Sequence, residues 1–184
     1  MKRKRISALL LTVLLIFVLP VSVVFASSVH LKGGKNAKPA FTDGGLYLTA
    51  TGELAGLGNG DVSVTIVAQA DVTSTCTNKG SNPAPGQNPA PLTVTGSQAI
   101  PESELKNGTT PFDVSTLPPS PVIAGAPDCP NPNWTESIDD LAFTSATITV
   151  EQPVGTVVLT VSCTFSQPTS DGAVPGSRVT CTSS

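Results

Sequence analysis

The sequence predicts an all-β fold: an antiparallel, immunoglobulin-like β-sandwich of about seven to eight strands with two disulfides. Three observations predict it. The run 61–76, DVSVTIVAQADVTSTC, places Val62, Val64, Ile66, Ala68, Ala70, Val72 and Cys76 on one phase. Ser63, Thr65, Gln69, Asp71, Thr73 and Thr75 take the other, with Val67 its single apolar member. A strand turns alternate side chains to opposite faces, so this run has one apolar and one wet side. Second, 16 glycines and 17 prolines punctuate the chain, and between them helical periodicity is almost absent. Third, there are four cysteines, an even number. "Immunoglobulin-like" describes the architecture alone, because the single tryptophan, Trp134, lies in a proline-flanked loop and not on a strand, so the hallmark Cys…Trp…Cys arrangement is not evident.

The amino-terminal residues assign a compartment. Lys2, Arg3, Lys4 and Arg5 precede an apolar run over 6–19, Pro20 interrupts it, and Val24-Phe25-Ala26 offers small residues for a peptidase. This is the pattern of a secretory signal peptide over 1–26, cut after Ala26. The competing reading is an uncut anchor, since 6–25 is long enough to span a bilayer. Pro20 and Ala26 favour cleavage, hence a secreted protein with no membrane insertion after it. What remains, 27–184, suffices for one core and is short for two. It keeps six Lys or Arg against all 13 acids, a net charge of −7. That balance argues against nucleic acid and anionic membranes as partners.

In an oxidising compartment Cys76, Cys129, Cys163 and Cys181 are expected to pair. Three pairings exist. Cys76–Cys129 and Cys163–Cys181 is favoured, because a terminal hairpin sets the second pair on neighbouring strands. No two cysteines stand at metal-ligand spacing.

Along the chain, 27–40 is short, basic and glycine-containing, and is expected to be a flexible lead-in, with an edge strand over 29–32 as the alternative. The remainder, 41–184, is expected to form a single β-sandwich domain. Leu46, Leu48 and Ala50 predict a strand over 45–54. Asn59-Gly60 then predicts a hairpin that pairs it with 61–76. The region 77–133 is rich in Pro, Gly and Asn, holding twelve of the sixteen prolines that follow Ala26. Proline gives no N–H to a ladder, so this region reads as loops. Within it lie short strands at 92–96 and 112–116 and a helical turn over 101–108. A turn or short helix is expected over 134–140. Leu141 and Phe143 are out of phase with Ala146, Ile148 and Val150, which predicts a bulge near Thr144-Ser145. Strands over 155–165 and 179–181 close the chain.

Candidate chemistry is sparse. His30 is the single histidine and sits in the lead-in, which leaves no evident base for a serine or cysteine triad. Glu136, Asp139 and Asp140, or Glu102 and Glu104, are the carboxylates to consider for a hydrolase. The first three are also the calcium candidates, although no D-x-D-x-D-G loop is present. Trp134 is the aromatic to consider as a ligand contact. Asn107 and Asn133 open glycan sequons, which matter only in a host with that machinery. Few lysines and many Ser and Thr give strands with neutral, hydrogen-bonding outer faces. The expectation is a secreted, non-enzymatic structural or adhesive module of an extracellular surface or matrix, which needs no cofactor and associates with itself or with a surface glycan. The alternative is a carbohydrate-binding or calcium-dependent module using the proline-rich loops 77–91 and 117–133. A carboxylate hydrolase comes third.

Overall fold

The computed structural model describes residues 28–34 and 36–184. The signal-peptide reading over 1–26 lies outside them. The described chain is all-β, with 54% of the residues in strands, two antiparallel sheets and no α-helix. Twelve strands follow in order: β1 His30–Leu31, β2 Ala40–Asp43, β3 Leu48–Ala55, β4 Val62–Thr77, β5 Pro83–Pro85, β6 Leu92–Ile100, β7 Thr109–Ser115, β8 Val122–Ile123, β9 Thr135–Glu151, β10 Val157–Phe165, β11 Gly172–Ala173 and β12 Val179–Ser183. In the smaller sheet β3 lies between β7 on one side and β1 and β2 on the other, and β11 extends β2. The larger runs β12-β10-β9-β4-β6, with β5 on the far half of β4 and β8 on the far half of β9.

β4 and β9 pair from Ser63↔Glu151 to Thr77↔Thr135 and form the spine of the larger sheet. The alternation read from the sequence decides which way β4 faces. Val62, Val64, Ile66, Ala68, Ala70 and Cys76 are buried, while Val67, Gln69, Asp71 and Thr73 are exposed. The ladder shifts register between Gln69 and Ala70, opposite Ser145 and Phe143, so Thr144 is the extra residue. That bulge lets Leu141 and Phe143 share the interior with Ala146, Ile148 and Val150 despite their opposite sequence phase. A single apolar cluster joins both sheets. Phe41 of β2 meets Phe165 of β10 across it, edge to face, with ring centroids 5.2 Å apart. Both cystines form as expected: Cys76–Cys129, and Cys163–Cys181 across the β10–β12 pair.

Three expectations are corrected. The hairpin between the third and fourth strands does not form, because β3 pairs with β1, β2 and β7 while β4 enters the other sheet. Gly60 takes φ 102° and Asn59 keeps a negative φ, so the two-residue turn that needs both positive is not built. Instead the chain arches between the sheets, and the buried Gln152 side chain clasps the arch. Its Oε1 accepts from Gly58 N–H at 2.7 Å, and its Nε2 donates to Gly58 O at 2.9 Å and Gly60 O at 3.0 Å.

The lead-in, second, is not a free tail there but takes the alternative reading, an edge strand. Leu31 pairs with Leu54, and both Val29 and Leu31 are buried. Ser28 O lies 2.4 Å from where a Cβ on Gly56 would stand, so only glycine admits this crossing. Burial of two aliphatic side chains contributes about 1.5–3 kcal/mol each, whereas the Lys32–Glu53 pair beside them is exposed and contributes little. Apolar insertion docks this segment.

Third, the turn expected over 134–140 is the first half of β9. A second register shift, at Thr73 and Ser74, sets Asp139 aside and breaks the period-2 pattern. The single helical turn read after Pro101 is present, as a 3₁₀ turn at Glu102–Glu104. The two prolines of β5 sit at a sheet edge, where no N–H is asked of them.

Gln152→Ala removes three hydrogen bonds from a buried site and leaves the arch groups at Gly58 and Gly60 unpaired. Chemical denaturation is expected to show a loss of about 2–4 kcal/mol with unchanged far-ultraviolet circular dichroism. A loss below experimental error would mean that the arch does not depend on the clasp.

Candidate interaction surface

The outer face of the larger sheet is built by register. Across β6, β4, β9, β10 and β12 the outward residues align in three rows: Ser97-Thr65-Thr149-Thr160-Ser184, Thr95-Val67-Thr147-Ser162-Thr182 and Thr93-Gln69-Ser145-Thr164-Thr180. All but Val67 and Gln69 carry a hydroxyl, and none has a charged side chain. Each is exposed or half-buried. Thr and Ser suit these positions because β-branched and short polar side chains pack on a pleated, half-wet surface. Cross-strand Thr–Thr and Thr–Ser neighbours support one another. Each hydroxyl offers one donor and two acceptor positions. The face is thus a dense, neutral lattice of interchangeable hydrogen-bonding groups and methyls on a chain whose net charge is acidic. Acids mark its margins: Asp71 follows Gln69 on β4, and Glu151 ends β9.

The residues singled out in the sequence lie elsewhere and do not converge. Glu136 is wholly buried beside the Cys76–Cys129 bridge. Its Oε1 accepts from the Ser74 hydroxyl at 2.8 Å and its Oε2 from Asp128 N–H at 3.3 Å. It therefore anchors the loop that carries Cys129. Asp139 is exposed and accepts from Thr75 Oγ1 at 2.6 Å. Asp140 lies instead near Gly45. Trp134 is half-buried, and its backbone N–H donates to Asn131 O. His30 is exposed and donates from Nδ1 to Ser28 O at 2.6 Å. Glu102 and Glu104 are exposed. Among the described residues no three His, Cys, Asp or Glu side chains are grouped to hold a metal ion.

One grouping was not foreseen. Asp43 is buried at the end of β2, where its Oδ1 accepts from Gly45 N–H at 2.9 Å and its Oδ2 from the Thr169 hydroxyl. Thr169 Oγ1 in turn accepts from Phe143 N–H at 2.8 Å, so this chain of bonds ties β2, the loop before β11 and β9 together. Desolvation raises the Asp43 carboxyl above its ordinary value. The hydrogen bonds from Thr169 and Gly45 pull it back, while the nearby Asp140 and Asp171 push it up. The sequence signal was only that Asp43 shares the phase of Phe41. A cavity beside Thr169, lined also by Ser170, Val174 and Arg178, has a volume of about 20 Å³. That is room for about one water, far below the several hundred Å³ of a small-molecule site.

No family model matches the chain, and neither a curated protein nor a solved structure matches it.

Thr169→Val deletes both hydroxyl bonds and is expected to cost about 1–3 kcal/mol, read by thermal or denaturant unfolding. A raised native pKa means that Asp43 contributes most while it is neutral. The contribution is complete below the unfolded value, near 3.8, and is lost as pH rises through the native one. The stability of the native chain relative to Asp43→Asn is expected to fall as pH rises through this window. A relative stability that grows with pH would refute the assignment.

Proposed function

We propose that the chain is an exported, non-enzymatic module of immunoglobulin-like architecture that serves as a structural or adhesive part of an extracellular surface or matrix. The neutral hydroxyl face of the larger sheet carries this reading. A broad, ordered, uncharged surface on an acidic chain suits contact with another neutral surface. Export is supported by the basic and apolar amino-terminal run and by two disulfides, which persist in oxidising compartments. Among the described residues no helix is long and apolar enough to cross a membrane. The architecture is supported by strand order: β2-β3-β7 faces β6-β4-β9-β10, the order A-B-E against C′-C-F-G of immunoglobulin-like sandwiches. The absence of an enzymatic role is supported by the placement of the candidate carboxylates, which are spread over separate faces or engaged in structural bonds.

The proline-rich end offers a second reading, a ligand-binding module on the loops. Val122 exposes an apolar side chain there, at 51%, and Trp134 is only half-buried on the same loop region. Its candidate ligands are a surface carbohydrate or calcium.

Expression of the full chain with its own leader, followed by fractionation of the culture, tests the leading reading. The expected product begins at Ser27, has no alkylatable thiol and sediments with the cell surface or matrix. Thr147→Lys, at the centre of the face, releases it into the medium. Retention untouched by that change, together with a melting temperature raised by glycan or calcium and lost in Trp134→Ala, would transfer the function to the loops.

A further inference from the structure

From the geometry of the larger sheet we infer that its hydroxyl face docks a second copy of this chain, sheet against sheet, about a two-fold axis near Thr147. The inference rests on the structural reading above and names its partner.

Three observations support a second copy. Charge comes first. With a net charge of −7 after the leader, two copies repel on the whole, and this face lets them meet with no charged side chain inside the contact and acids only at its margin. Shape comes second. A five-stranded antiparallel sheet carries the right-handed twist of its strands, which a flat solid surface does not match. An identical sheet matches it, and aligned sheet pairs pack at about −30° for this reason. Chemistry comes third. Every Ser or Thr hydroxyl both donates and accepts, so two such faces can satisfy each other in a self-complementary contact where residue i meets j and j meets i. Val67, exposed beside Thr147 in the central row, adds an apolar contact near the axis. The face also lacks the aromatic platforms on which sugar rings stack.

Area sets the strength. Five strands at about 4.8 Å and three rows at about 6.7 Å give a projected footprint of about 480 Å² per copy. The pair covers about 960 Å², below the ~1,200 Å² of stable interfaces. The contact is therefore weak and concentration-dependent, as suits modules already held at high density on a surface. The acids at the margin, Asp71 and Glu151, oppose each other across it. Added salt screens them and strengthens the association.

Sedimentation equilibrium on the purified 27–184 protein tests the inference, with Thr147→Lys, Thr147→Glu and their equimolar mixture. The wild type is expected to gain mass at millimolar concentration, more so at high salt. Each variant alone associates at least about tenfold more weakly, because like charges meet near the axis. The mixture recovers association, because Lys then faces Glu. Equal melting temperatures exclude misfolding, and the Ser162→Lys and Ser162→Glu pair repeats the test one strand away. Variants that associate like the wild type, or a mixture no better than its components, overturn the inference. So does a wild type that stays monomeric while binding insoluble polysaccharide through this face. That last outcome leaves the adhesive reading standing with another partner, whereas loss of both association and surface retention defeats both.

Discussion

The fold depends on one pairing, the antiparallel ribbon of β4 and β9. It runs from the floor of the core to the cystine at Cys76. Its inner side supplies Ile66, Ile148, Leu141 and Phe143 to the interior. Its edges then recruit different neighbours along its length. Near one end β6 and β10 widen it to a full sheet; near the other β5 and β8 replace them with two- and three-residue additions. A ribbon of two strands alone is marginal in water. The far half is accordingly fastened by other means: the Cys76–Cys129 bridge, and Glu136 holding both Ser74 and the backbone beside Cys129.

The same ribbon organises the surface. Its period-2 alternation sends every second residue outward, and the register of four neighbouring ladders converts short Thr-x-Thr runs into a two-dimensional array. No single strand has this property; it exists only once five are aligned. The smaller sheet contributes differently. It closes the core through Phe41 and Leu54 and anchors its rim through Asp43 and Thr169, whose bonds reach β9 directly. Residues with the chemical look of a site, the buried Asp43 and Glu136, are thus occupied in joining elements.

Much of this was legible in the sequence, and the failures have physical causes. The inward phase of β4, the bulge at Thr144 and both cystines follow from alternation and spacing. Asn59-Gly60 misled, because a turn dipeptide reports local conformational freedom and not which sheet the next strand enters. The first half of β9 was hidden by Glu136, Asp139 and Asp140. One is buried and satisfied, one is displaced by a bulge, and together they erase the period. The docking of Val29 and Leu31 was legible only as the alternative edge strand, because it rests on two side chains in a basic, glycine-containing stretch, too short for a decisive pattern. The Thr and Ser content of the outer face was readable strand by strand. Its assembly into rows was not, because register between distant strands is a tertiary fact.

Amide hydrogen exchange on the oxidised and selectively reduced protein tests the central role of the ribbon most directly. Slowest exchange is predicted throughout 62–70 and 145–151 in both states. Strong protection over 71–77 and 135–141 is predicted only while Cys76–Cys129 is intact. Loop-like exchange of 71–77 in the oxidised protein, or slowest exchange in the smaller sheet, would contradict it.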